Sequence, residues 1–184
     1  SLVYRYYALR ATIAVGFITP IFTLFVLRDL SFAQFGTLSA LYSILSVVGE
    51  VPTGLVGDRF GRRASLLSSV TFSILSLAGF VFAQSFLWYA VLYGFWALAL
   101  VFRSGSMDAW LYDVLDERLD ADDFSHVRGR GDAVQAWSNV VTMVAGGLLY
   151  GLDPTYPFAA AVGVNCLALG VLVALPKNAR YRRD

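Results

Sequence analysis

The sequence is short of charge. Only 15% of its 184 residues are Asp, Glu, Lys or Arg, where an ordinary soluble domain carries about 25%. It has one cysteine and one histidine, so no internal disulfide and no metal-ligand cluster is expected, and Cys166 reads as an inert small residue. Lysine is almost missing: Lys177 is the only one, beside 13 arginines. The basic residues form no stripe that could track a phosphate backbone, which argues against a nucleic-acid partner. No glycine-rich phosphate cradle is present, so neither ATP-driven chemistry nor a cofactor is expected. The chain starts Ser1-Leu2-Val3 without a methionine and reads as a fragment, with no cleavable signal in its first apolar run.

In place of charge stand long apolar runs. No ionisable Asp, Glu, Lys or Arg occurs in 11–27, 30–49, 64–102, 133–152 or 154–176, together 119 residues. Crossing ~30 Å of hydrocarbon takes about 20 apolar residues, and the 39-residue run breaks at Ala83-Gln84-Ser85 into two such lengths. The expected fold is therefore all-α, a polytopic membrane bundle of six helices at about 7–27, 34–57, 64–83, 87–115, 132–152 and 155–175. Alternating ~10-residue segments, the mark of a membrane barrel, are absent. With the N-terminus inside, 12 basic residues fall on the inner face, Arg28 alone on the outer, and Arg103 within a span. By the positive-inside rule both ends are cytoplasmic. The acidic run Asp116 to Asp123 reads as a solvated connector, and His126 as a solvated residue within the same polar stretch.

Smaller signals refine this reading. Gly147 with Gly151, Ala159 with Gly163 and Cys166 with Gly170 sit four residues apart, a spacing that allows close helix approach. Trp88, Tyr89, Tyr156 and Tyr181 fall at span ends, where interfacial aromatics belong. Pro20 predicts a kink in the first helix. Four charges lie inside spans: Arg10, Glu50, Arg103 and Asp108. A central charge costs about 2.5–3.5 kcal/mol on insertion scales, so these should face protein or water. Two of each sign at similar depth suggest a neutralised network, and with Asn139 they are the candidate cavity or coupling residues. A purely structural salt bridge is the competing reading.

The most informative segment is Gly54-Leu55-Val56-Gly57-Asp58-Arg59-Phe60-Gly61-Arg62-Arg63-Ala64-Ser65-Leu66. Gly57 and Gly61 allow a sharp turn, Asp58 can meet a helix N-terminus, and three arginines follow. This order resembles the loop 2–3 signature of the major facilitator superfamily, through Gly54, Asp58, Arg59, Gly61, Arg62, Arg63 and Leu66. The resemblance implies one N-terminal six-helix half of a twelve-helix transporter, built of two three-helix inverted repeats, with the C-terminal half absent. It also implies a gate latch. Asp58 would meet a helix of the other half, and Arg62 would bond Asp113 at the cytoplasmic end of helix four. The expected function is alternating-access transport of a small organic solute across the cell membrane, ion- or proton-coupled and outward, with uptake as the alternative. Helix four departs from the family pattern in having Ser104-Gly105 after Arg103, and helix five lacks the Gly-Pro antiporter signature.

A rival reading is an intramembrane aspartyl protease. Tyr112-Asp113 and Gly129-Arg130-Gly131-Asp132 mimic paired motifs whose carboxylates share one proton. Both aspartates fall at the cytoplasmic surface, however, and a Pro-Ala-Leu element is missing.

Overall fold

The computed structural model describes residues 2–13, 16–118 and 123–175, with the side chains of 51–60 and of Arg118 excepted. Helices account for nearly all of them: α1 (Leu2–Thr12), α2 (Phe22–Val26), α3 (Phe32–Phe60), α4 (Arg62–Phe80), α5 (Phe86–Arg118), α6 (Phe124–Leu152) and α7 (Tyr156–Ala174). No strand occurs among the described residues. Spans within α3, α4, α5 and α7 are each long and apolar enough to cross a membrane.

The first rod is broken. α1 contributes Tyr6 and Leu9 to a core cluster at one end of the bundle, and α2 contributes Phe25 and Val26 to a second cluster at the other. Together they traverse the fold, but residues 16–21 form turns with short Thr19-to-Gly16 and Ile21-to-Ile18 backbone bonds. Pro20, which has no N–H to give, lies in this stretch. The sequence expectation of one kinked helix over 7–27 is corrected to two helices, α1 ending at Thr12 and α2 starting at Phe22, with turns over 16–21.

The turn between α3 and α4 is sharper than expected. α3 continues through Asp58, Arg59 and Phe60 as helix, so Gly57 makes no turn, and Gly61 alone reverses the chain. Its φ is 94°, the single positive value among the described residues and a conformation that an L side chain resists. α6 likewise starts at Phe124 rather than near 132, because polar, charged turns such as Ser125 to Gly131 remain helical once outside the hydrocarbon. α5 runs 33 residues, or about 50 Å, and so overshoots a ~30 Å hydrocarbon layer by several turns.

Packing follows two kinds of contact. α4 lies along α5, where the buried hydroxyls of Ser69 and Ser76 donate across to the carbonyls of Ala99 (2.6 Å) and Leu92 (2.9 Å). Such small hydroxyls bind helices without swelling the interface. The broken first rod lies along α6, where a Cβ on Gly146 would stand 2.0 Å from the Phe17 carbonyl oxygen. The small residues singled out by spacing do not serve this purpose. Gly147, Gly151, Ala159, Gly163, Cys166 and Gly170 are all exposed, and the glycines among them meet nothing within 4 Å. Four-residue spacing places residues on one face but does not say which face is packed.

The two ends differ in chemistry. At one end Arg5 donates to the Ala174 carbonyl (2.9 Å), and Arg63 to those of Leu172 (2.9 Å) and Val173 (2.5 Å). The Val173 and Ala174 carbonyls are ones that the last turn of α7 cannot pair itself, while that of Leu172 also accepts the Leu175 N–H. These arginines also place the start of α1, the start of α4 and the end of α7 at the same end of the bundle. At the other end Phe22, Phe25, Phe80, Tyr89, Tyr93 and Phe158 interlock. Tyr89 is fully buried here and donates to Asp29 at 2.8 Å, so it faces protein rather than lipid. Its neighbour Trp88, about 100° round the helix, is 60% exposed, as is half of Tyr156. Tyr181 lies outside the described residues.

Candidate functional site

The ionisable residues of α1, α5 and α6 form one chain. Arg10 donates to Asp132, Arg128 lies 3.8 Å from the other Asp132 oxygen, and Arg128 reaches Asp108 at 2.9 Å. Arg10 and Asp108 thus share a network, but Asp132 and Arg128 carry it, and neither had been singled out as a cavity residue. The expected four-charge cluster is corrected accordingly: Arg10 and Asp108 find their counter-ions on the helical extension of α6. A signal was available, since Arg128 and Asp132 stand at i and i+4 on a helix. The Arg10 side chain is only 14% exposed, whereas those of Arg128, Asp108 and Asp132 are close to half exposed. Water therefore weakens the Arg128 pairs, while Arg10 depends more on its carboxylate. Behind this chain the Tyr6 hydroxyl and Arg10 Nε are buried without hydrogen-bond partners among the described residues.

Arg103 stands apart. It lies 17 residues into α5, about 26 Å from the helix start, and is partly buried. Tyr42 and Arg10 are within its electrostatic reach. Asn139 on α6 has a buried Oδ1 with no hydrogen-bond partner among the described residues, beside the turn at Gly16. Glu50 is exposed on α3 and has a partner.

Above Arg103, towards the aromatic end, a cleft of about 340 Å³ opens between α2, α3 and α5. Phe22, Phe35, Tyr42, Tyr93 and Trp96 wall it, with Ser39 and Ser43 between them. Its volume falls in the range of small-ligand sites, about 300–1,000 Å³. The sequence reading passed over it, although Phe35, Ser39 and Tyr42 recur at helical spacing on one face of α3.

Of the expected latch, Arg62 and Asp113 are partly buried and both partnered. The side chains of Asp58 and Arg59, and position Gly54, lie outside the described side chains. Arg63 caps α7 as described above. The protease reading loses its site: both Asp132 oxygens are engaged by arginine, where a proton-sharing dyad needs a second carboxylate.

The profile of the Major Facilitator Superfamily matches residues 8–184. The chain belongs to the major facilitator superfamily. It is similar to an uncharacterized MFS-type transporter, YxaM, of Bacillus subtilis (strain 168), with 31% identity over 180 residues, 96% of this chain and 44% of that protein. It is also similar to the lactose permease of Klebsiella oxytoca, at 28% identity over 159 residues (82% of this chain, 36% of the permease). The class C tetracycline resistance protein of Escherichia coli matches at 28% over 162 residues (85% and 39%). The chain thus spans less than half the length of these curated relatives. As a superfamily member with several apolar spans it is a multi-pass membrane protein, and its exposed apolar residues, such as Val47, Val144 and Leu167, are suited to lipid rather than water.

Proposed function

We propose that the chain is the N-terminal half of a secondary transporter that carries a small organic solute across the cell membrane by alternating access. The observation that carries the reading is polarity at membrane depth, in Arg103 and in the buried Asn139 Oδ1, with Arg103 on a helix that also walls an open cleft. Polar groups in a span are costly unless they serve a partner or a pathway. Both ends are placed in the cytoplasm by the arginine bias. Asp58, Arg62 and Asp113 act in this proposal as the latch of the cytoplasmic side, joined to a second half. Outward transport coupled to ions or protons is the reading adopted for direction. Similarity to a protein named for tetracycline resistance supports it, while similarity to a lactose permease supports uptake as the alternative.

The test is transport by the full-length protein in proteoliposomes under imposed pH gradients, with a panel of small organic solutes. Gradient-driven movement of at least one solute is expected, and Glu50→Gln or Asp108→Asn should alter its pH dependence. Unchanged pH dependence in both variants would confine these two carboxylates to a structural role. Asp113→Asn should slow transport while leaving solute binding nearly unchanged, as a latch residue requires.

A further inference from the structure

We infer that the solute recognised here is an amphipathic organic anion, its ring or acyl body in the aromatic cleft and its anionic group on Arg103. This rests on the transporter reading and narrows its substrate class. Trp96 and Arg103 are seven residues apart on α5, so they share a face and stand about 10 Å apart along it, two helical turns. Tyr42 links the two places, because it walls the cleft and is also within electrostatic reach of Arg103. A molecule lying along this face would meet five aromatic side chains first and a guanidinium two turns deeper.

The charge balance selects the sign. Arg10, the other cation near Arg103, already holds Asp132, and Arg128 holds Asp108. Among the described residues Arg103 itself forms no ion pair. The cleft itself suits a largely apolar body, since ring faces make up most of its lining. Ser39 and Ser43 donate their hydroxyl protons to the Phe35 and Ser39 carbonyls (3.0 Å each), which takes those donors out of play. Ring faces alone attract organic cations, yet a cation long enough to fill the cleft would place its charge toward Arg103. A planar guanidinium instead matches a carboxylate, sulfonate or phosphate through paired N–H donors.

A matched series separates these cases in the full-length protein: 2-naphthoate, 2-naphthalenemethanol and 2-naphthylmethylammonium, with binding measured calorimetrically in nanodiscs and transport in proteoliposomes. Naphthoate should bind about tenfold or more tighter than the alcohol or the ammonium. Arg103→Gln should weaken naphthoate by about tenfold while sparing the alcohol, whose retained binding also reports a folded cleft. Arg103→Lys should keep much of the anion preference, and Trp96→Ala should weaken all three alike. Preference for the ammonium or the alcohol, or naphthoate binding indifferent to Arg103→Gln, overturns the inference. Naphthoate held through Arg103 but never carried across the membrane would sustain the anion site and remove the transporter reading. Transport of the alcohol or ammonium in place of naphthoate would do the reverse.

Discussion

At the basic end of the bundle Arg5 and Arg63 close the last turn of α7, and Asp132 stands between Arg10 and Arg128. At the aromatic end the carboxylates meet neutral hydroxyls instead: Tyr89 donates to Asp29 and Thr155 to Asp153, while Arg28 lies over the Phe25 ring at 5.4 Å. The difference reflects what a bilayer leaves available. Lipid tails are as apolar as leucine, so burying apolar surface between helices gains little there, and helices must be joined by shape or by polar bonds. Interlocked rings supply shape at one end. Charge-assisted bonds serve the other, where the helices overrun the hydrocarbon and half-exposed ion pairs can form and part at small cost. The basic end should therefore respond to salt, and the aromatic end to lost volume.

The largest expected effect comes from the rings. Phe158 is fully buried, with its ring 4.3 Å from that of Phe25 and 6.1 Å from that of Phe80. Phe158→Ala should cost about 3–5 kcal/mol of stability, independent of salt, in detergent unfolding titrations. Gly146→Ala comes next. Its Cβ would collide with the backbone of Phe17, so about 1–3 kcal/mol should be lost and α6 should separate from the first rod. Gly147→Ala, one residue on and open to its surroundings, should be neutral or stabilising by up to about 1 kcal/mol. A similar loss in both glycine variants would mean that close approach to Phe17 is not what Gly146 supplies, since helix propensity alone favours alanine at both positions.

Smaller still is the ionic contribution. Asp132→Asn strips the counter-ion from Arg10, whose side chain is 14% exposed, and should cost about 1–2 kcal/mol after allowance for the half-exposed carboxylate. Asp108→Asn touches only a pair that is 46% exposed on both sides, and should cost about 0–1 kcal/mol. Both losses should shrink in high salt. If salt left them unchanged, the claimed contrast between the two ends would fail.

These contrasts also show where sequence reading succeeds and where it stops. The absence of charge over 119 residues is a one-dimensional property, and it marks the spans because hydrocarbon excludes charge wherever the helix turns. The partner of each arginine depends on helix rotation and depth, which no spacing along one chain specifies. Arg10 therefore found Asp132 rather than Asp108 or Glu50. The polar residues 116–131 concealed the start of α6, since a solvated helix and a solvated loop have the same composition. The cleft was within reach through the spacing of Phe35, Ser39 and Tyr42 on α3, but aromatic residues in a span read equally well as lipid-facing.

The weakest of the contrasts concerns the hydroxyl-served acids. In the turn between α6 and α7, Asp153 accepts bonds from the Thr155 hydroxyl (2.5 Å) and from the Thr155 N–H (2.7 Å). Both bonds favour the charged carboxylate, the hydroxyl more strongly, and hold its pKa below the usual value of 3.8. A carboxyl whose folded pKa is depressed lends stability that is complete above its unfolded pKa and disappears as pH falls through the folded one. The contribution is thus present at neutral pH and lost only in acid, below the ordinary carboxylate range. Thr155→Ala removes the larger cause and leaves the backbone bond, so the Asp153 carboxyl should titrate closer to 3.8 without reaching it. Carboxyl carbon NMR of a sample labelled at aspartate would follow this directly. Because the hydroxyl is neutral, the shift should persist in high salt, where the Arg10–Asp132 contribution at the opposite end diminishes. A shift abolished by salt would instead assign the Asp153 titration to a charged neighbour, with Arg28 the one that acts on it.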